Sequence, residues 1–166
     1  MDIGKLQGML SYMIENLIKN ELLKIKVDLN FLYKTIDCVT VFPKSEEEYR
    51  VLNNEMRKKG QIIDKMQSGN LYYVPHAINT IYGHLYFVKV RKFDSSYLNY
   101  YISVDFTVEN FYGFKKSLIN PYIKKYDTFE LIQLKNENSI INVVSLSAKH
   151  EYKEMIEKFI VHKLEE

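Results

Sequence analysis

The run TIDCVTVF, residues 35–42, is followed at once by Pro43 and then by Ser45-Glu46-Glu47-Glu48. A β-branched, apolar run of this length predicts a buried strand. Pro43 ends it, because a proline cannot donate to a sheet ladder. Ser45 with Glu48 is a capping box, which opens a helix by satisfying its first free amides. That helix should run to about Lys59 and bury Tyr49, Leu52 and Met56, with Gly60 as its C-terminal cap. GQIIDKMQ then begins another strand directly, so strand, helix and strand are joined by very short connections.

The turn SGN, the run LYYVPHAI, a second turn near Tyr82-Gly83 and HLYFVKVRK predict an antiparallel meander. After the polar loop FDSSYLN comes a strand, YYISVDFTV. A short helix over 109–118 follows, presenting Phe111, Phe114 and Leu118, and then a hairpin of TFELIQL and SIINVVSLS around KNEN. At the start, the spacing of Leu6, Met9, Leu10, Met13, Leu17 and Ile18 predicts a helix over residues 5–26 with one apolar stripe. A last helix is expected to begin near Ser147 and to bury Tyr152, Met155, Ile156 and Phe159. The fold class is therefore α+β: two βαβββ-like modules in a curved mixed sheet, with one added helix at each end. No linker divides the 166 residues, which form one domain. Within it lie the N-terminal helix (1–27), the first module (35–92), the second (100–147) and the C-terminal helix (148–166).

With 46% apolar and 27% charged residues, the chain can bury a core rather than stay disordered. A net charge of +2 is too small to imply a polyanion partner. Cys38 is the only cysteine, which excludes an intramolecular disulfide and a cysteine-rich zinc site. The first residues mix charge with apolar groups and resemble neither a signal peptide nor a membrane span. A cytoplasmic location without membrane association is expected.

Strand alternation places Phe87, Lys89 and Arg91 on one face, opposite Tyr86, Val88 and Val90. In the next strand Tyr101, Ser103, Asp105 and Thr107 share a face, opposite Ile102, Val104, Phe106 and Val108. The second set of each strand is core. The first sets either lie on a solvated sheet surface or line a hollow.

The element order, with IDCVTVFPKSEEEY, the turns at Gly60 and Gly69, and SVDFTV at these intervals, resembles the vicinal-oxygen-chelate superfamily, the fold of glyoxalase I, extradiol dioxygenases and bleomycin-resistance proteins. More narrowly it resembles the YecM-like branch, over roughly residues 10–147. The resemblance implies a cup into which metal ligands project from the strands. The branch's first strand resembles Asp-His-Ile; here Asp37, Cys38 and Val39 stand there, so Cys38 takes the histidine position. Lys89 stands where a glutamate is usual. Ser103 and Asp105 replace a histidine and the acidic residue two positions on. A divalent metal needs three or four donors, and an ammonium among them would repel it. These departures from the pattern lead to the expectation of a cup without metal or cofactor.

The site expected is a polar pocket of Cys38, Lys89, Arg91, Tyr101, Ser103 and Asp105. Lys89 or Arg91 would pair with Asp105, Tyr101 and Phe87 would form walls, and a small anionic ligand would bind the free cation. Cys38, inside an apolar strand, is expected to be a buried inert thiol. Binding or interaction is favoured over catalysis, and a homodimer is expected, since modules of this fold often pair and the first helix offers an apolar stripe that packs on the domain or on a partner. The alternative is a metal-dependent lyase, isomerase or dioxygenase using Asp105, Glu130 and His84. His76 and His84 flank one turn, where they could face each other, while His150 and His162 read as surface groups. A third alternative, an RNA-binding module, rests on YGHLYFVKV, whose Tyr82 occupies a position such motifs give to a basic residue. No phosphate-cradling glycine loop is present.

Overall fold

A computed structural model describes residues 14–25, 32–126, 129–136, 138–144, 154 and 157. Helix α1 occupies residues 14–23, and β1 (Leu32–Val41) leads into α2 (Glu46–Lys59). The meander β2 (Gln61–Met66), β3 (Gly69–Thr80) and β4 (Gly83–Arg91) follows. The second half repeats the order: β5 (Ile102–Val108), α3 (Phe111–Ser117), β6 (Tyr122–Lys125), β7 (Glu130–Asn136) and β8 (Ser139–Val144).

Among the described residues, eight strands form one sheet in the order β2-β3-β4-β1-β5-β8-β7-β6. β1 runs parallel to β4, and β5 parallel to β8. β1 and β5 pair antiparallel at the centre. The two βαβββ modules are therefore joined through their first strands. The repeat is more complete than expected, because β6 is a strand the sequence reading lacks. Four residues containing two lysines, at the sheet's outer edge, carry little apolar pattern.

One face of the sheet is covered by helices. Val39, Val41, Val88, Val90, Val104, Phe106, Ile141 and Val143 bury there with Leu52 and Met56 of α2 and Phe111 and Phe114 of α3. Phe106 is about 1% exposed, and removing its ring would cost about 3–5 kcal/mol. Ile14, Ile18 and Leu22 of α1 join the same core, and Glu15 reaches Lys59 of α2 at 3.4 Å. In the described part of the N-terminal stripe, Ile18 is buried and Leu17 partly buried against this core, so the helix packs on the domain. Leu6, Met9, Leu10 and Met13 lie outside the described residues. Of the expected C-terminal helix, Glu154 and Glu157 are helical and exposed; its apolar positions, with His150 and His162, lie outside the described residues. No helix among the described residues is long and apolar enough to cross a membrane.

The caps explain the tight connections. Ser45 Oγ accepts from the Glu48 amide at 3.0 Å, while the Glu48 carboxylate accepts from the Lys44 amide at 3.2 Å. Gly60 ends α2 with φ −154° and ψ −169°, extended rather than left-handed, and its amide donates to Met56 O. Its glycine is required by close approach instead: a Cβ would collide with the Tyr73 carbonyl of β3. Gly69 and Gly83 do adopt positive φ at the two hairpin turns.

Candidate functional site

The sheet's other face curves around a cavity of about 430 Å³. Its floor is set by register across the four central strands. One row runs Lys89, Thr40, Ser103, Ile140, and the next runs Phe87, Cys38, Asp105, Asn142, all of which line the cavity except Phe87. Cys38, Lys89, Arg91, Ser103 and Asp105 all line the same hollow.

Asn142 organises the floor. Its Nδ2 donates to Asp105 Oδ1 at 2.8 Å and to Ser103 Oγ at 3.1 Å, and its Oδ1 accepts from Gln133 Nε2 at 3.2 Å. Neither amide figured among the expected site residues. The signal was available: Asn142 and Gln133 are lone polar groups alternating with Ile141, Val143, Ile132 and Leu134.

The expected pairing with Asp105 is not a direct contact: Asp105 acts on the Lys89 ammonium from beyond 4.0 Å. Lys89 Nζ donates to Ser68 Oγ at 2.6 Å, because the β2–β3 turn folds beside β4. Burial, and then the neighbouring Arg91, hold the Lys89 ammonium below its ordinary 10.5, against the opposing pull of Cys38, Asp105 and Asp64. Arg91 lays its guanidinium 4.3 Å from the Tyr97 ring centre, and Tyr97 stacks on Phe42 at 4.9 Å and 6°. Among the described residues, neither cation has a carboxylate within 4.0 Å.

Tyr97 belongs to a 3-10 turn, Ser95–Tyr97, between β4 and β5. The Asp94 carboxylate caps it, accepting from the Ser96 amide at 2.9 Å and the Ser96 hydroxyl at 2.7 Å; these bonds hold the carboxyl below its usual range. Lys44 Nζ pins the following segment by donating to the carbonyls of Leu98, at 2.7 Å, and Tyr100.

Tyr101 is not a wall of the cavity. β5 begins one residue later, so strand alternation does not reach it, and its ring lies 4.4 Å from Lys44 Nζ instead. Tyr97 supplies the aromatic wall on this side. Phe87 packs with Cys38 and Leu71 in a small apolar cluster, and Cys38 is about 4% exposed, as expected of a buried thiol.

The alternative metal set is dispersed. Asp105 is on the floor, but Glu130 lies off the cavity, pairing with Lys115 at 3.4 Å and Lys125 at 3.9 Å. His84 sits at the β3–β4 turn, its Nδ1 2.6 Å from Asn79 Oδ1. It pairs across the hairpin with Asn79, not His76, which falls where the β3–β4 register breaks. Among the described residues, no three His, Cys, Asp or Glu side chains gather to hold a metal. The ring of Tyr82 does not form a base-stacking platform: it packs edge-on against Phe106 at 4.9 Å, and its hydroxyl donates to Ile25 O at 3.0 Å.

No protein-family model matches the chain, and no curated protein matches it. Among solved structures it is similar to one described as "Structural Genomics, Protein EC4020", with a TM-score of 0.55 and 9% identity. The match covers 92% of this chain and 91% of that one. At that identity the likeness is one of fold.

Proposed function

We propose that this chain is a metal-independent binding protein for small organic anions, with the glyoxalase-like architecture of the vicinal-oxygen-chelate superfamily and closest in character to its YecM-like branch. The observation that carries this reading is the pair of cations in the cavity, Lys89 and Arg91, with no carboxylate within ion-pairing distance among the described residues. A partly buried charge is costly unless a partner satisfies it. A carboxylate or phosphate would take two parallel bonds from the planar Arg91 fork, with Lys89 as a second point charge. The hydroxyls of Thr40 and Ser103 lie in the same register row as Lys89 and add neutral donors to the floor.

A divalent cation suits this floor poorly. Of the positions that the family resemblance gives to metal ligands, Asp105 offers an anionic donor, Cys38 a buried thiol, Ser103 a hydroxyl, and Lys89 a repelling ammonium. The role is binding or interaction, in a cytoplasmic setting where Cys38 stays a thiol.

A thermal-shift screen of carboxylates and phosphates on the wild type, Lys89→Ala, Arg91→Gln and Asp105→Ala tests the reading. Anions should raise the wild-type melting temperature, and the two cation variants should lose that response. Unchanged responses in every variant would count against the pocket. Stoichiometric zinc, iron, nickel or manganese in the purified protein would favour a metal enzyme instead.

A further inference from the structure

The cavity has a third cation, and it comes from the other module. Lys124 lies on β6, the last strand of the sheet, five positions from β4, yet it lines the same hollow as Lys89 and Arg91. Its neighbour Lys125 points to the opposite side of the strand and engages Glu130 at 3.9 Å. Lys124 has no carboxylate within 4.0 Å among the described residues, and its Nζ lies 5.9 Å from the centre of the Tyr122 ring. Apolar groups from the second module, Leu131, Ile140 and Val144, line the space between, and Tyr126 stacks on Phe129 at 4.8 Å on the β6 side. Among the described residues, the carboxylates in the hollow are Asp64, exposed on β2, and Asp105, on the floor; both disfavour an anion held mid-cup.

We infer that the ligand is a two-ended organic dianion, with one anionic group at Lys89 and Arg91, the other at Lys124, and a body whose apolar part lies against Leu131, Ile140 and Val144, clear of the Asp105 carboxylate. The inference rests on the anion-binding reading above and narrows its ligand class. A volume of about 430 Å³ lies in the range of small-molecule sites, which suits a metabolite-sized chain rather than a polymer. Lys124 is then a specificity-determining residue: it adds affinity only for ligands that carry the second charge.

The test is calorimetric titration of the full chain, at low ionic strength, with saturated α,ω-dicarboxylates from glutarate to suberate and with hexanoate as the one-ended control. One chain length should bind roughly tenfold more tightly than hexanoate, as expected when a charge-assisted contact is added. Lys124→Gln should bring that dicarboxylate to the hexanoate level while leaving hexanoate itself unchanged. Arg91→Gln should weaken both. Lys124 sits on a short edge strand, and the variant's melting temperature verifies that it folds. Equal binding of hexanoate and every dicarboxylate by the wild type, with Arg91→Gln still weakening both, would overturn the two-ended ligand and leave the anion site standing. No binding of any acid at millimolar concentration would overturn both.

Discussion

Arg91 can act as an anion clamp only if its fork is held still, and the structure assigns that task to Tyr97. Tyr97→Leu keeps an apolar side chain in the turn but removes the ring 4.3 Å from the guanidinium. The lost cation–π contact is worth about 0.5–1 kcal/mol. Ordering the freed arginine on binding costs about 0.5–1.5 kcal/mol more. Together these weaken anion binding by about 1–2.5 kcal/mol, roughly five- to sixtyfold in Kd. Arg91→Gln, which removes charge-assisted bonds of about 1.5–3 kcal/mol, should cost roughly ten- to hundredfold. The two effects share one contact, so the double variant should bind no worse than Arg91→Gln alone. Calorimetry with the best dicarboxylate on all four proteins completes the cycle. Losing the Phe42–Tyr97 stack should also lower the melting temperature by a few degrees, in the single and double variants alike. Strictly additive losses of affinity would refute the claim that Tyr97 acts through Arg91.

Lys89 gives a pH prediction with a definite sign. Burial lowers its folded-state value below the ordinary 10.5, so the folded chain holds this proton less tightly than the unfolded chain. The group's contribution to stability therefore rises with pH as pH passes through the lowered value toward 10.5. Urea unfolding of wild type and Lys89→Met across that window should show the gap moving in favour of the wild type; a flat gap would mean the ammonium is not desolvated. Gly60→Ala should destabilise by about 1–3 kcal/mol, because its Cβ meets the Tyr73 carbonyl. Gly60→Asn should be no milder, whereas rescue by asparagine would signal a left-handed cap. Asn142→Leu should weaken anion binding less than Arg91→Gln does, yet lower the melting temperature by leaving the Asp105 and Ser103 side chains each one donor short; an unchanged melting temperature would show that the floor does not depend on Asn142.

Much of the first module was legible because its signals are local. Pro43, Ser45, Glu48 and the Gly69 and Gly83 turns each fix backbone within a few residues, and β1, α2 and the meander follow from them. Alternation likewise placed Lys89, Arg91, Ser103 and Asp105 on one face. Partners were not legible, because they depend on which strands become neighbours. Asp105 meets Asn142 only through the parallel pairing of β5 with β8, and Lys89 meets Ser68 only because the β2–β3 turn packs beside β4. Alternation also has an edge: Tyr101 stands one residue before β5 and escapes it, while Tyr97 enters the cavity from a 3-10 turn with no strand pattern at all. β6 stayed hidden for the opposite reason, since an edge strand of four residues needs no apolar face to be held by β7.

The most direct measurement is ¹⁵N NMR of arginine side chains while a small dicarboxylate is titrated into the protein. The chain has three arginines, Arg50, Arg57 and Arg91, and Arg91→Gln identifies the Arg91 Nε–H signal by its disappearance. That signal should shift saturably, with the Arg50 and Arg57 signals still. An Arg91 signal that stays fixed while the acid binds elsewhere, or one that moves only when a divalent metal is added, would contradict a metal-free anion clamp.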